Sequence, residues 1–199
     1  MKFHKFISVI LHPIVIPTIG VLLFLALTPD FIRKESQYVV LSLVFFSTYI
    51  VPIIFLVILK AIGVIQSFQV ESIKERKVPL YLMLLIFYLL GRYLINIPVF
   101  KDLGVLFYGT NLALLIINIL FFFNIKTSLH TVSMSSTLGF FLIYGTIHSL
   151  SILPIVIILI VLTGLLASSR LHLKAHTPLE VNLGFFLGVF TQYLGYVFL

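Results

Sequence analysis

The stretch that decides the fold is residues 152–199, which read ILPIVIILIVLTGLLASSRLHLKAHTPLEVNLGFFLGVFTQYLGYVFL. One apolar run covers 152–167 and another covers 181–199, while the connection 168–180 holds an arginine, a lysine, two histidines and a glutamate. Apolar runs of about 20 residues can cross a hydrocarbon layer of ~30 Å as helices, and they are too long for the ~10-residue strands of an outer-membrane barrel. The stretch therefore predicts two membrane-spanning helices joined at the bilayer boundary.

The composition extends this prediction to the whole chain. Of the 199 residues, 61% are hydrophobic and 10% are charged, and the mean hydropathy is +1.23, whereas soluble domains carry roughly 25% charged residues. The chain contains no cysteine, which excludes disulfides and thiolate chemistry. We predict a single integral membrane domain, 1–199, with the fold class of an all-α polytopic transmembrane helical bundle.

Hydropathy predicts six to seven spans in this bundle. The first candidate begins like a signal peptide, but its apolar part is long and no A-x-A-like site follows, so we interpret it as a retained helix. Counting crossings places the N-terminus and the connections 61–79, 125–128 and 169–177 on one side of the bilayer. Three clusters of polar residues, at 74–79, 126–130 and 169–180, are therefore predicted on the same side of the bilayer. The seven candidate spans are about 6–28, 38–60, 80–98, 103–124, 129–149, 152–168 and 178–198.

The basic residues do not orient the chain in the membrane, although the net charge is +7. An excess of lysine and arginine normally marks the cytoplasmic side, and nine of the thirteen basic residues fall on the face of the clusters. When the basic residues of the three clusters are left out, three lysines remain on that face and four basic residues lie on the opposite face. The excess of basic residues therefore does not orient the chain. The basic residues are scattered and form no stripe with interleaved aromatics, which argues against a nucleic-acid partner.

The third cluster has the most specific spacing. It reads S-R-x5-H-x3-E and consists of Ser169, Arg170, His176 and Glu180. Thr177 also opens a capping box, with proline at the first helical position and Glu180 as the acidic member. His176 is thus predicted just before a helix N-terminus, where free N–H groups and the helix dipole favour an anion such as phosphate.

Two further clusters add basic and hydroxyl groups to the same face. The second, KTSLH at 126–130, opens the fifth predicted span, and Thr127 or Ser128 can cap that helix. The first, KERKVP at 74–79, is predicted in a connection just before the third span. Together the clusters supply two histidines, several cations and hydroxyls. They lack the several carboxylates of a hard-metal site.

This set of side chains suits phosphoryl transfer without a metal or cofactor. One imidazole can attack phosphorus while a carboxylate holds its other nitrogen and fixes the tautomer. Arginines and backbone donors can stabilise the charge on the phosphoryl oxygens, and a second histidine can protonate the leaving alkoxide.

The order of the three clusters over residues 74–180 resembles the type 2 phosphatidic acid phosphatase (PAP2) superfamily of membrane lipid phosphatases. Its third motif is S-R-x5-H-x3-D, which differs here in the final acid. The resemblance implies that His176 is the nucleophile forming a phosphohistidine, that His130 protonates the leaving group, and that Glu180 takes the place of the orienting acid. It further implies phosphate ligands among Ser128, Ser169, Arg170, Arg76 and Lys74.

The sequence departs from the family pattern at three points. The second motif of the family is P-S-G-H, so Leu129 replaces a glycine that lets the backbone approach a phosphate closely. Its first motif is K-x6-R-P, whereas Arg76 stands three residues before Pro79 and no lysine lies seven residues before it. Glu180 has one methylene more than aspartate. We expect a divergent active member with altered selectivity, or one with weakened catalysis.

The predicted function is therefore metal-independent hydrolysis of an amphiphilic partner, either a lipid phosphate monoester or a prenyl diphosphate. The clusters lie at headgroup depth, and no soluble domain is predicted that could collect a water-borne substrate. The lipid tail would reach the site sideways between helices. The resemblance implies a role in phospholipid metabolism at a bacterial cytoplasmic membrane, with the active site on the extracytoplasmic face.

Other interpretations stay open. A non-catalytic lipid-phosphate binder or transporter would keep the anion pocket, and mid-span ionisable residues such as His12 would favour transport. Taken singly, Glu180 can be a simple capping residue, Arg170 an interfacial anchor and His130 an interfacial histidine.

The remaining histidines carry weaker signals. His172 and His176 are spaced like a helical zinc pair, but position 173 is leucine, so the H-E-x-x-H motif is incomplete. His12 precedes Pro13, which predicts a kink in the first helix. His148 is predicted to be interfacial.

Overall fold

The computed structural model describes residues 2–28, 32–68 and 72–199. It is 81% helical, and the described residues form no strand, which confirms the all-α prediction. A π-helical segment, Phe46–Ile50, joins α3 and α4, and a 3-10 turn, Pro98–Phe100, precedes α6. The α-helices in the described residues are α1 Lys2–Ile10, α2 Ile16–Leu27, α3 Lys34–Phe45, α4 Val51–Ala61, α5 Ile73–Leu94, α6 Lys101–Phe122, α7 Leu129–Ile147, α8 Leu153–His172 and α9 Pro178–Phe198.

Five helical segments in the described ranges are long and apolar enough to cross a membrane, which supports an integral membrane protein. Their outward faces carry large apolar side chains, as expected of a protein whose solvent is lipid. They match five of the predicted spans. The segments are Lys34–Ala61, Ile73–Leu94, Pro98–Phe122, Leu153–His172 and Pro178–Phe198.

The first predicted span, 6–28, is broken into α1 and α2. At 1.5 Å per residue, nine and twelve residues extend about 14 and 18 Å, so neither helix crosses the bilayer alone. Pro13 has no N–H to continue the ladder of α1. The carbonyl of His12 accepts from Val15 N–H at 2.8 Å, and the Ile14 N–H donates to Nδ1 of His12 at 3.3 Å. The expected kink is thus a full break that orients the imidazole.

Helix α7 corresponds to the predicted span 129–149 but is too polar to belong to the set of five. It is the central helix of the bundle and packs against α2, α6, α8 and α9. Five hydroxyl residues between 131 and 137 make it polar, and four of them are buried. Because α7 is surrounded by protein, it needs small side chains that pack closely rather than apolar ones that face lipid.

Two glycines let α9 approach α7 closely. A Cβ added at Gly188 would lie 2.0 Å from Ser135 Oγ and 2.6 Å from the Val132 carbonyl oxygen, and one at Gly184 would lie 2.9 Å from the Ser128 carbonyl oxygen. The glycines are four residues apart on one face of α9, as in the G-x-x-x-G interfaces of membrane helices. Their absent side chains permit a hydrogen bond of 3.2 Å from Ser135 Oγ to the Gly184 carbonyl.

The first cluster was expected in the connection 61–79, and this expectation was wrong. Helix α5 begins at Ile73, so residues 74–79 are helical; residues 69–71 of the connection lie outside the described residues. Ser72 caps the helix by accepting from Glu75 N–H at 3.2 Å and donating to the Glu75 carboxylate at 3.0 Å. Pro79 removes one backbone donor, but the helix continues through it.

Replacing Gly188 by alanine should lower the free energy of unfolding by about 1–3 kcal/mol, the usual range for overpacking a tight interface. The matched control is Gly164→Ala on α8, where a Cβ meets nothing within 4 Å. That control should be neutral or stabilising by up to about 1 kcal/mol, because alanine favours helix. Thermal unfolding of the purified variants, followed by far-UV circular dichroism in detergent, measures both. Equal midpoints for the two variants would contradict the close packing of α7 and α9.

Candidate active site

A cavity of about 170 Å³ inside the bundle gathers side chains from all three polar clusters. Arg76 comes from the first cluster and His130 from the second, while Arg170 and His176 come from the third. His12, from the break between α1 and α2, joins them. Most of the remaining wall is apolar and comes from α4, α5 and α6, including Pro52, Phe55, Leu56, Met83, Phe87 and Leu114.

His176 and Glu180 form the shortest polar contact in the cluster. Nδ1 of His176 lies 2.5 Å from Oε2 of Glu180, and the imidazole side chain is 1% exposed. A carboxylate can only accept, so Nδ1 donates and, in the neutral ring, the lone pair is on Nε2. The carboxylate of Glu180 thus contacts the imidazole, while the backbone N–H of Glu180 is the group that Thr177 caps.

The local fold follows from the predicted helix start. Thr177 is the N-cap of α9, its side chain accepts from the Glu180 N–H at 3.3 Å, and Pro178 occupies the first turn. This prediction is confirmed. The cap places Glu180 one turn beyond His176, so the carboxylate returns over the helix end to reach the imidazole.

The surroundings of His176 favour the neutral ring. Burial lowers the pKa of His176 below its ordinary value of 6.5, because the imidazolium would lose its hydration. The hydrogen bond to Glu180 opposes this shift, and the positive charges of Arg76 and Arg170 add to it. At neutral pH the imidazole therefore presents an unprotonated Nε2, the form required of a nucleophile.

His130 lies on α7 in the same cavity and is fixed by α1. Its Nε2 is 3.2 Å from the Ser8 carbonyl oxygen, which can only accept, so this nitrogen carries a proton. Its ring meets that of His12 edge to face, with centroids 5.0 Å apart. Nδ1 is therefore the nitrogen of His130 that is available for proton exchange with a ligand.

Two guanidinium groups give the cavity its positive charge. Arg170, in the last turn of α8, donates from Nη1 to Ser8 Oγ at 2.6 Å, while its buried Nε makes no hydrogen bond among the described residues. Arg76 on α5 is buried and donates from Nη1 to the Thr127 carbonyl oxygen at 3.4 Å. Arginines held in this way are suited to an anion with several oxygens.

The structure does not bring three of the predicted phosphate ligands into the cavity wall. Ser128 is fully buried and caps α7 by accepting from the Thr131 N–H at 3.5 Å, so its predicted capping role is confirmed. Ser169 is fully buried and lies 3.1 Å from Nδ1 of His4. Lys74 is exposed on the first turn of α5. Their proposed contacts with phosphate require a rearrangement.

A shallow depression lies on the other side of His176. Its wall includes Lys126 and Lys174 together with His176, Thr177 and Glu180. His176 also lines the inner cavity. The imidazole thus stands between the apolar interior and a surface that carries two lysines.

Sequence reasoning missed the contribution of α1. His4, Ser8 and His12 recur every four residues and therefore follow one face of the N-terminal segment. This face packs on α8, where His4 contacts Ser169 and Ser8 contacts Arg170. The spacing of these polar residues in an otherwise apolar segment was the available signal.

The described residues contain no group of three or more histidine, cysteine, aspartate or glutamate side chains placed to hold a metal ion. His172 is exposed and its ring lies on that of His4, with centroids 4.0 Å apart. His172 and His176, which are spaced like a zinc pair in the sequence, therefore lie in different environments: His172 is exposed, and His176 is buried against Glu180.

Comparison of this chain with known protein families, with characterised proteins and with solved structures finds no match.

We predict that His176 stays neutral as the pH falls through 6.5, because its pKa is lowered by burial. Nitrogen-15 histidine NMR of the protein in detergent reports this directly, since the shifts of Nδ1 and Nε2 change on protonation. The resonance that disappears in His176→Gln identifies the ring. Glu180→Gln should lower the pKa further, because the carboxylate favours the imidazolium. Protonation of His176 above pH 6.5 would contradict this description of the site.

Proposed function

We propose that this protein is a metal-independent lipid phosphatase of the PAP2 type, which hydrolyses a lipid phosphate monoester or a prenyl diphosphate through a phosphohistidine. The observation that carries the proposal is the buried His176, oriented by Glu180 at 2.5 Å, in one cavity with His130 and two arginines. Phosphoryl transfer through a phosphohistidine requires a nucleophile, an acid that orients it, a proton donor for the leaving group and groups that bind the anion. The cavity holds a candidate for each of these roles.

In the first half-reaction, Nε2 of His176 attacks phosphorus. A P–N bond forms while the P–O bond to the lipid breaks. His130 enters this step as the imidazolium, a form that the negative charge of the bound phosphate favours, and it gives its second proton to the departing oxygen. Because Nε2 of His130 donates to the Ser8 carbonyl, Nδ1 is the nitrogen that transfers this proton. In the second half-reaction, His130 takes a proton from water, whose oxygen bonds to phosphorus as the P–N bond breaks and phosphate leaves.

The arginines stabilise the negative charge on the phosphoryl oxygens in both steps. Arg170 is anchored by Ser8 and Arg76 by the Thr127 carbonyl, so their positions are set before substrate binds. Preorganised donors of this kind act strongly in a site from which water is excluded.

The apolar part of the cavity supports an amphiphilic substrate. Phe55 and Leu56 on α4 and Met83 and Phe87 on α5 line it, and Leu129, next to His130 in the sequence, adds apolar surface. A hydrocarbon tail between α4 and α5 would keep its contact with lipid while the phosphate lies among the histidines and arginines. Leu129 narrows the site where the family has glycine, which supports selectivity for the substrate.

The proposed topology has six to seven spans. Five of these spans are the long helices. The broken pair α1 and α2, which together approach the length of one span, and the central helix α7 would supply the others. We assign the protein to a bacterial cytoplasmic membrane with the histidines on the extracytoplasmic side, as the family resemblance implies.

A second candidate function is lipid-phosphate binding or transport without turnover. The burial of Ser128 and Ser169 away from the cavity favours it, because fewer hydroxyl groups then reach the anion. His12, an ionisable side chain in an apolar segment, favours it as well. Binding of a lipid phosphate without release of inorganic phosphate would select this function.

Purified protein should release inorganic phosphate from at least one of phosphatidic acid, phosphatidylglycerol phosphate and undecaprenyl diphosphate. His176→Ala should abolish release, and His130→Ala should lower kcat by roughly 10²–10⁴-fold, the usual contribution of general acid–base catalysis. The matched control is His172→Gln, an exposed histidine outside the cavity. Turnover that survives His176→Ala would refute the proposed mechanism.

Turnover should be unaffected by EDTA and inhibited by vanadate or tungstate. These oxyanions imitate the five-coordinate phosphorus of the transition state, and the proposed chemistry uses protein groups alone. Phosphate release measured in parallel with each reagent checks both expectations. Loss of activity in EDTA that zinc restores would instead indicate a metal site.

A further inference from the structure

The N-terminal segment contributes to the site, although no sequence motif marks it: residues 12–14, just after α1, line the cavity, and Ser8 on α1 contacts His130 and Arg170. The outward face of α1 carries Phe3, Phe6 and Val9, which are 58%, 60% and 69% exposed, and its inward face carries the buried Ser8. His12 follows beyond the end of this helix, and its ring lines the cavity. An exposed apolar face with a polar face turned inward suits a helix that lies between lipid and a polar cavity. Helix α1 therefore contributes polar groups to the interior of the protein.

Ser8 connects two residues of the proposed mechanism. Its hydroxyl accepts from Arg170 at 2.6 Å, and its carbonyl accepts from His130 at 3.2 Å. Both contacts fix the directions of side chains that come from other helices. The end of α1 is therefore held in a defined position against the cavity, and His12 follows Ser8 by four residues.

The hydrogen bond within the break fixes the tautomer of His12. Nδ1 of His12 accepts from the Ile14 N–H at 3.3 Å, so the proton of the neutral ring is on Nε2. Among the described residues Nε2 makes no hydrogen bond, although the ring lines the cavity beside His130. His12 thus offers one donor that the protein itself does not satisfy.

We propose that His12 is an anion ligand of the cavity, and that its Nε2–H donates to an oxygen of the bound phosphoryl group. This inference deepens the proposed function, since it adds a contact at the same site. Arg170 lies within electrostatic range of His12, and its buried Nε also makes no hydrogen bond. An oxyanion is the ligand class that satisfies several such donors at once.

Inorganic tungstate binding tests the proposal without requiring catalysis. The dissociation constant is measured on the full chain in detergent, from the rise of the unfolding midpoint with tungstate concentration. His12→Leu should weaken binding by about 10–100-fold, the usual effect of losing a hydrogen bond to a charged group. Leucine is apolar and similar in size, so this variant should fold. Its unfolding midpoint without tungstate checks that it does.

Two further variants sharpen the test. His12→Gln places an amide N–H near the position of Nε2 and should bind tungstate within about threefold of the original protein. His172→Gln, the exposed control, should bind as the original does. His12→Leu binding as tightly as the original, or an original protein that binds no tungstate, would overturn the proposal.

The outcomes separate this inference from the proposed function. A protein that binds tungstate through His12 but releases no phosphate from any lipid substrate would refute the phosphatase and leave the anion site standing. A protein that releases phosphate equally well with His12→Leu, at unchanged tungstate affinity, would refute the role of His12 and leave the phosphatase standing.

Discussion

The close approach of α7 and α9 is the constraint on which the site depends. Gly184 and Gly188 leave room for the backbone of α7, and the Ser128 N–H then donates to the Glu180 carbonyl at 3.2 Å. This hydrogen bond joins the start of α7 to the first turn of α9. As a result the helix that carries His130 and the carboxylate that orients His176 are held against each other at one end of the bundle. A wider helix pair would move the two histidines apart.

Around this pair, the hydrogen bonds described for the two buried arginines go to neutral backbone and hydroxyl oxygens. Arg76 uses the Thr127 carbonyl and Arg170 uses the Ser8 hydroxyl, while Glu180 is occupied by His176. Burying charge in a membrane protein costs free energy that only good partners offset. The described partner of Arg170 is a neutral hydroxyl, and its buried Nε makes no hydrogen bond among the described residues, so its positive charge makes the cavity suited to an anion. The apolar wall from α4 and α5 supports the proposal that this anion is joined to a hydrocarbon tail.

The outer faces of the bundle are apolar, unlike the surface of a soluble protein, and the interior combines apolar side chains with small hydroxyl residues. Small hydroxyl residues lie on α7 in the centre, and phenylalanine, leucine and isoleucine lie on the outer faces. Lipid tails solvate the outer side chains, so they need no protein partners, whereas the interior gains from small residues that bring helices together. At the opposite end of the bundle, Asp102 accepts from Tyr196 and contacts His148, which ties the ends of α6, α7 and α9. His148, which the sequence predicts to be interfacial, thus also contacts Asp102.

From the sequence alone follow the all-α class, the apolar segments of which five form long helices, the cap at Thr177, a second cap at Thr127 or Ser128, and the spacing of His176 and Glu180. These features are local, because hydrophobic length and capping depend on neighbours within a few residues. The tertiary structure alone decided which side chains face the cavity. It placed His12 there, with Ser8 behind it holding His130 and Arg170, and kept Lys74, Ser128 and Ser169 out, because those positions follow from how the N-terminal segment, α5 and α8 pack in the bundle. Packing between distant helices sets those positions, and no spacing within one segment encodes them.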